Sequence, residues 1–233
     1  MIPDACPICH KKTITYDKEM LHCTSCGLYN KPLGFRARVM VWAEDKLWWP
    51  RVPVIALFAW LFLLCAKVGD INVVRNNPLG FFDFGMHELG HYLFIPFGEF
   101  MVILGGSLFQ CLVPLLWMIG FIQQKWYFAA SLCWCWLGLN LYDVAVYAAD
   151  ARARVLSLAG PGALFGDGSD AAYDRSHDWY QILLRTNHLQ SDIAIARGLR
   201  IAGAVCFIIG LALGTTLVCR MLIHHTRNNV ASA

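Results

Sequence analysis

Five apolar stretches that are almost free of charged residues constrain this chain more than any other feature. They span residues 53–68, 81–97, 101–122, 126–149 and 201–222. The sequence is 58% hydrophobic and 15% charged, whereas an average soluble domain is about 25% charged. Stretches of this length and composition predict helices that cross a bilayer. We therefore predict an all-α integral membrane protein with about five transmembrane helices.

A small polar segment precedes these stretches and gives the chain its predicted domain organisation. We predict, in chain order, a zinc ribbon at residues 1–34, a basic and aromatic juxtamembrane linker at 35–52, a membrane domain at 53–222 and a tail at 223–233. In the linker, Trp42, Trp48 and Trp49 suit the headgroup interface. The first 20 residues are polar and carry cysteines, which is unlike a signal peptide.

The basic residues predict an orientation in the membrane. Eight of the 19 Lys and Arg lie in residues 1–51, six lie in the polar loop at residues 150–200, and five lie elsewhere. Five crossings would place the first two groups on the same side, a split of fourteen to five that agrees with the positive-inside rule. We therefore expect a multi-pass protein of the cell (inner) membrane with a cytoplasmic N-terminus and a cytoplasmic loop 150–200.

Two Cys-x-x-Cys pairs, Cys6-Pro-Ile-Cys9 and Cys23-Thr-Ser-Cys26, are separated by thirteen residues. This spacing is typical of a four-cysteine zinc site, because each pair forms a tight turn that presents two thiolates to one tetrahedral ion. A module this small would obtain its folding free energy from the metal. The alternatives are two disulfides or redox-active pairs, which a cytoplasmic location disfavours. We expect one structural Zn²⁺ here.

The second apolar stretch contains a His-Glu-x-x-His motif, His87-Glu88-Leu89-Gly90-His91. Residues four apart share one face of a helix, so both imidazoles can bind one Zn²⁺ while Glu88 lies beside the water that the ion activates. A carboxylate there can accept a proton from the water and pass it to the leaving amine. Such polar residues are costly in lipid unless they bind something or face a wet cavity. The alternative is a polar cluster that holds helices together.

This motif in an apolar segment, followed after another apolar stretch by a helix that bears Asp, resembles the site-2 protease family of intramembrane zinc metallopeptidases. The resemblance covers about 75 residues, from 80 to 155. It implies that His87 and His91 bind a catalytic zinc ion, that a later aspartate is the third ligand, and that Glu88 is the catalytic base.

The third ligand is not fixed by the resemblance, because the Asp-Gly signature of that family is absent. Instead Asn140, Asp143, Tyr147 and Asp150 form one polar stripe on a helix, which we expect to face the histidines. Asp143 is the favoured ligand, because an unpaired carboxylate within a membrane span is costly. The alternatives are Asp150, whose Asp-Ala-Arg-Ala-Arg-Val-Leu sequence is similar to the Asp-Gly-Gly-Arg-Val-Leu of the family, and His177.

Two further groups of residues allow weaker interpretations. The first group lies in the third apolar stretch and consists of Gly105, Gly106, Ser107 and Gln110. These residues could make the stretch irregular or re-entrant and shape a substrate groove, or they could serve the packing of helices. The second group is a run of acidic residues, Asp167, Asp170, Asp174 and Asp178. The run hints at cation binding, but its spacing matches no calcium loop, and a solvated loop is the better interpretation.

Together these features predict an intramembrane zinc metalloprotease that hydrolyses a peptide bond of a membrane-associated protein substrate. The first alternative is a non-catalytic membrane sensor or scaffold that binds zinc, and the second is an enzyme with a non-peptide substrate. The ribbon could bind a cytoplasmic protein partner. Nucleic acid is not expected, since only Lys11, Lys12 and Lys18 are close enough to form a basic patch and no aromatic platform alternates with them.

Overall fold

The computed structural model describes residues 5–17, 20–68, 79–156 and 177–231. The chain divides into two compact units. The first unit combines Met1–Val54 with Gly214–Ala233, and the second is Ile55–Leu213. Each unit carries one of the two groups of residues that the sequence singles out as metal ligands.

The first unit contains a three-stranded antiparallel sheet in the order β1, β2, β3. Its strands are β1 (Ile14–Asp17), β2 (Met20–Cys23) and β3 (Asn30–Pro32), and they are followed by α1 (Phe35–Glu44) and a 3-10 turn at Trp49–Arg51. Ile14 pairs with Cys23 across the sheet. Glu44 accepts hydrogen bonds from Tyr16 at 2.6 Å and from Arg220 at 2.7 Å. A small N-terminal strand region is thus present, which is compatible with the predicted ribbon, while its predicted boundaries stay a prediction.

Helices dominate the rest of the described chain. In order they are α2 (Val52–Val68), α3 (Gly80–Leu93), α4 (Glu99–Gln123), α5 (Tyr127–Ala149), α6 (Asp178–Arg185) and α7 (Asp192–Ala231), with 3-10 turns at Ile95–Phe97 and Leu189–Ser191. The predicted helical class is confirmed.

Within the described residues, four helical segments rather than five are long and apolar enough to cross a membrane. They are Trp49–Ala66, Glu99–Gln123, Tyr127–Ala149 and Leu189–Val230. The predicted second crossing is α3, which has only 14 residues. A helix of that length is about 21 Å long, which is shorter than the roughly 30 Å hydrocarbon core of a bilayer. Four of the five predicted crossings therefore meet this criterion among the described residues. The fifth, and the orientation derived from the count, stay predictions.

The second unit is built around α5, which is the most buried of the four candidate spans. One cluster of buried side chains joins α5 to α6 and the start of α7: Val144, Tyr147, Ala148, Ala151, Trp179, Ile182, Leu183 and Ala196. In contrast, α2 and α7 expose large apolar side chains such as Trp60, Leu63 and Ile208. Exposed apolar surface on helices of this length suits contact with lipid.

The close approach of α3 and α4 depends on two glycines. A Cβ atom on Gly105 would lie 2.8 Å from the carbonyl oxygen of Gly90 and 2.9 Å from the Cβ of Phe94, so neither helix has room for a larger residue at this crossing. The third apolar stretch is a continuous helix from Glu99 to Gln123, and the predicted irregular segment near Gly105 is not formed. Gly105 serves helix packing, as one interpretation of the sequence proposed.

Candidate metal centres

One turn of α3 brings His87 and His91 side by side, as the motif predicts. Their ring centroids are 4.9 Å apart. One potential ligand atom from each of His87, Glu88 and His91 lies within 4.8 Å of the other two, so this group could hold a metal ion. All three side chains are partly exposed, which leaves the group open to a small reactant.

Each imidazole is held by a hydrogen bond on its far side. His91 Nδ1 donates to the carbonyl oxygen of Val102 at 2.7 Å, and His87 Nδ1 donates to Gln110 Oε1 at 3.1 Å. Because a carbonyl oxygen can only accept, these contacts place a proton on Nδ1, so Nε2 is the ring nitrogen available to a metal ion. This is the outer-shell arrangement that orients histidine ligands in metalloproteins.

The carboxylate that faces both imidazoles belongs to Asp178, the first residue of α6. Its Oδ2 atom lies 3.1 Å from His87 Nε2 and 3.4 Å from His91 Nε2. Burial raises the pKa of Asp178, but the interactions with His87 and His91 outweigh it and hold the pKa below its ordinary value. The interpretation of Asp178 as part of a solvated loop is therefore wrong. Asp167, Asp170 and Asp174, which belong to the same acidic run, lie outside the described residues.

A glycine on α4 leaves room beside the two histidines. A Cβ atom on Gly106 would lie 2.6 Å from His87 Nε2 and 2.7 Å from His91 Nε2. Any residue other than glycine would thus press on the two nitrogen atoms that face Asp178. The absence of a side chain at this point keeps space for an ion.

The polar stripe of α5 lies on the side of α3 and α4, as the sequence predicts. Gln110 Nε2 donates to Asn140 Oδ1 at 3.0 Å and to Asp143 Oδ2 at 2.8 Å. Asp143 is therefore connected to His87 through the amide of Gln110. Its assignment as a metal ligand stays a prediction, while Asp178 is the carboxylate in contact with both imidazoles.

The two alternatives for the third ligand, Asp150 and His177, bind each other. His177 Nε2 lies 3.2 Å from Asp150 Oδ2, and His177 Nδ1 accepts a hydrogen bond from the backbone of Tyr180 at 3.1 Å. Both ring nitrogens of His177 are occupied in this way, which argues against either residue as a ligand. Burial lowers the pKa of His177, although Asp150 acts in the opposite direction.

The four cysteines of the first unit form the other centre. Cys6 Sγ lies 3.8 Å from Cys26 Sγ, and Cys9 Sγ lies 3.6 Å from Cys23 Sγ. A tetrahedron with Zn–S bonds of about 2.3 Å requires sulfur atoms roughly 3.8 Å apart. None of the four cysteines is joined in a disulfide, and the spacing of their sulfur atoms suits a shared metal ion better than the disulfide alternative.

The two cysteine turns have the same backbone design. The residue after each pair, His10 or Gly27, has a positive φ and donates its backbone N–H to the first cysteine of its pair, at 2.8 Å to Cys6 and 3.0 Å to Cys23. A hydrogen bond with Thr13 is the main cause that lowers the pKa of Cys23 to about 6. A backbone hydrogen bond with Lys11 acts to lower the pKa of the neighbouring Cys9, but burial and the other cysteines outweigh it and raise this pKa to about 11.

Sequence reasoning missed the roles of two residues at the histidine site of the second unit, Asp178 as a contact of both histidines and Gln110 as the amide that binds His87. No local pattern marks Asp178, because its position depends on a tertiary contact of its neighbour: Trp179 Nε1 donates to Ser107 Oγ on α4 at 3.1 Å.

The comparisons with known proteins assign no family to this arrangement. No protein-family model matches the chain, and no curated protein or solved structure is significantly similar to it. Functional inference therefore depends on the two groups of residues and on the four candidate membrane spans.

Proposed function

We propose that this protein is a membrane-embedded zinc metallopeptidase of the site-2 protease type. The observation that carries the proposal is the meeting of His87 Nε2, His91 Nε2 and Asp178 Oδ2, with Glu88 beside them. Two imidazoles and one carboxylate that leave a further position open are the typical ligands of a catalytic rather than a structural zinc ion. The space beside Gly106 and the outward Nδ1 hydrogen bonds support the same ligand set.

Each residue of the histidine site has a separate role in the proposed hydrolysis. A zinc ion held by His87, His91 and Asp178 would supply a Lewis acid that polarises a scissile carbonyl and makes a neighbouring water more acidic. Glu88 follows His87 directly and lies close enough to accept a proton from an attacking water and return it to the leaving amine. Gln110 and the Val102 carbonyl hold the two imidazoles in the orientation that this role requires.

The surroundings of the site favour a membrane-associated protein as the substrate. Helices α4 and α5, which supply Gly106, Gln110 and the polar stripe, are both candidate membrane spans. The short helix α3 exposes apolar side chains such as Phe81, Leu89 and Tyr92. A segment of a membrane protein is the kind of substrate that could reach a site bordered by such surfaces.

For the first unit we propose a structural zinc ion held by Cys6, Cys9, Cys23 and Cys26. Apart from cysteines, the buried apolar side chains among the described residues up to residue 34 are Leu21 and Leu33. Metal binding would therefore contribute a large part of the folding free energy of this module. A cytoplasmic protein partner is the proposed ligand of this module.

The alternative function is a zinc-binding sensor or scaffold, and Glu88→Gln separates it from a peptidase. Purified wild type and variant would be incubated in detergent micelles with a library of transmembrane peptides, and cleavage would be followed by mass spectrometry. A peptidase should lose cleavage by at least about 100-fold in the variant, because proton transfer contributes that much, and should keep both zinc ions. No cleavage by the wild type would favour the sensor or scaffold.

A further inference from the structure

The short helix α6 carries Asp178 to the histidines. It has eight residues, and an isolated helix of this length is unstable in water. Its position must therefore come from tertiary contacts. Three of them surround its first turn: Trp179 binds Ser107, Tyr147 binds Asp178, and His177 binds Asp150.

Asp150 is a buried acceptor at the end of α5. It is 5% exposed, and it accepts backbone N–H groups from Val155 at 3.0 Å and Leu156 at 3.1 Å. Its Oδ2 atom also lies 3.2 Å from His177 Nε2. Asp150 thus fixes both the chain that leaves α5 and the residue that precedes Asp178.

His177 is fully buried and is the cap of α6. Its Nδ1 atom accepts the backbone N–H of Tyr180, which leaves the ring proton on Nε2 for Asp150. The ring lies 4.5 Å from that of Tyr147, measured between centroids. The hydroxyl of Tyr147 in turn accepts the backbone N–H of Asp178 at 3.0 Å. The start of α6 is therefore held by side chains that do not themselves face the imidazole Nε2 atoms.

We infer that Asp150 and His177 are a positioning pair, which sets the Asp178 carboxylate against His87 and His91 so that it can serve as the third metal ligand. This inference rests on the proposed function, because it requires a metal ion at the histidines. Residues 150 and 177 act through Asp178 and not as ligands. Substitutions of residues that orient metal ligands in this way typically lower metal affinity about 10- to 100-fold.

The test compares the zinc affinity of wild type, Asp150→Asn and His177→Asn in the full-length protein, by competition with a chelator in detergent. Asparagine at 177 keeps an oxygen that can cap α6 but is too short to reach Asp150. Each variant should lower the zinc affinity of the site in the second unit by about 10-fold or more.

Arg152→Gln is the matched control, because it breaks the ion pair between Arg152 and the buried Asp192, at 2.7 Å, without touching α6. It should lower thermal stability and leave zinc affinity unchanged.

Cobalt spectra separate positioning from a general loss of structure. The Co²⁺ absorption of the histidine site in the second unit, taken as the difference from His87→Ala, should shift in Asp150→Asn and His177→Asn toward the spectrum of Asp178→Ala. Wild-type affinity and spectrum in both variants would overturn the inference while leaving the zinc site in place. Equal weakening in Arg152→Gln would also overturn it. If His87→Ala removed no zinc, the proposed function and the positioning pair would fail together.

Discussion

The two candidate metal centres differ in how far apart their residues lie in the sequence. The outermost cysteines of the ribbon, Cys6 and Cys26, are 20 residues apart, and each half of the site is a four-residue turn. His87 and Asp178 are 91 residues apart, and the packing of α3, α4, α5 and α6 is required to bring them together. The ligands of a local metal centre can be predicted from their spacing in the sequence, whereas those of a centre that depends on tertiary packing can be predicted only in part.

The sharpest test of this comparison is whether the two centres lose metal independently. We expect purified wild type to contain two zinc ions, and His87→Ala and Cys23→Ser each to contain one, because the residues of each centre lie within a different compact unit. Metal analysis by mass spectrometry measures the stoichiometry. The double variant should contain none. Loss of both ions from either single variant would show that the centres are not separate.

The sequence predicted the parts of the protein that depend on local patterns. The cysteine turns, the shared face of His87 and His91, and the apolar stretches of α2, α4 and α5 follow from spacing and composition. The polar stripe of α5 also lies on the side of α3 and α4, as its spacing predicts. The role of Asp178 could not be predicted, because nothing in an acidic run shows which member will dock against a helix 91 residues away.

The second predicted span is a shorter helix than its composition suggests, for a related reason. Residues 81–97 are apolar, but Leu93 ends the helix and a 3-10 turn with Pro96 follows. Hydropathy counts apolar residues and does not record where the backbone changes direction. The same composition can therefore belong to a short helix that carries a site or to a longer one that crosses the bilayer.

Gly106→Ala should nearly abolish zinc binding in the second unit. The added methyl group would lie 2.6 Å from His87 Nε2 and 2.7 Å from His91 Nε2, so the rings must turn away from Asp178 to avoid it. Gly120→Ala on the same helix is the control, because its added Cβ would meet no atom within 4 Å beyond the adjoining residues and backbone of its own helix. The measurement is zinc content together with circular dichroism. Full zinc content in Gly106→Ala would show that the space beside the rings is not needed.

Asp178→Ala and Asp143→Ala test which aspartate is the third metal ligand. Asp178 contacts both histidines in the structure, whereas Asp143 is the ligand that the sequence favours. Removal of a metal ligand should cost more zinc affinity than the roughly 10- to 100-fold that an outer-shell residue contributes. Asp178→Ala should therefore weaken binding the more, and Asp143→Ala should fall within that range because Asp143 acts through Gln110. Chelator competition measures both affinities. The reverse order would assign the third ligand to Asp143.

The smallest expected effect is that of Gln110→Met, which keeps the size of the side chain and removes both its acceptor and its donors. His87 would lose its Nδ1 partner, and Asn140 and Asp143 would lose the amide that now binds them. Zinc affinity should fall about 10-fold, the lower end of the range for an outer-shell residue. The free energy of unfolding should fall by roughly 1–3 kcal/mol, because buried polar atoms lose a partner.

Ser131→Ala is the control, because it removes a buried hydroxyl on α5 that binds the backbone of Phe128. It should change stability alone. A Gln110→Met variant that resembles this control would show that His87 needs no amide to hold its ring.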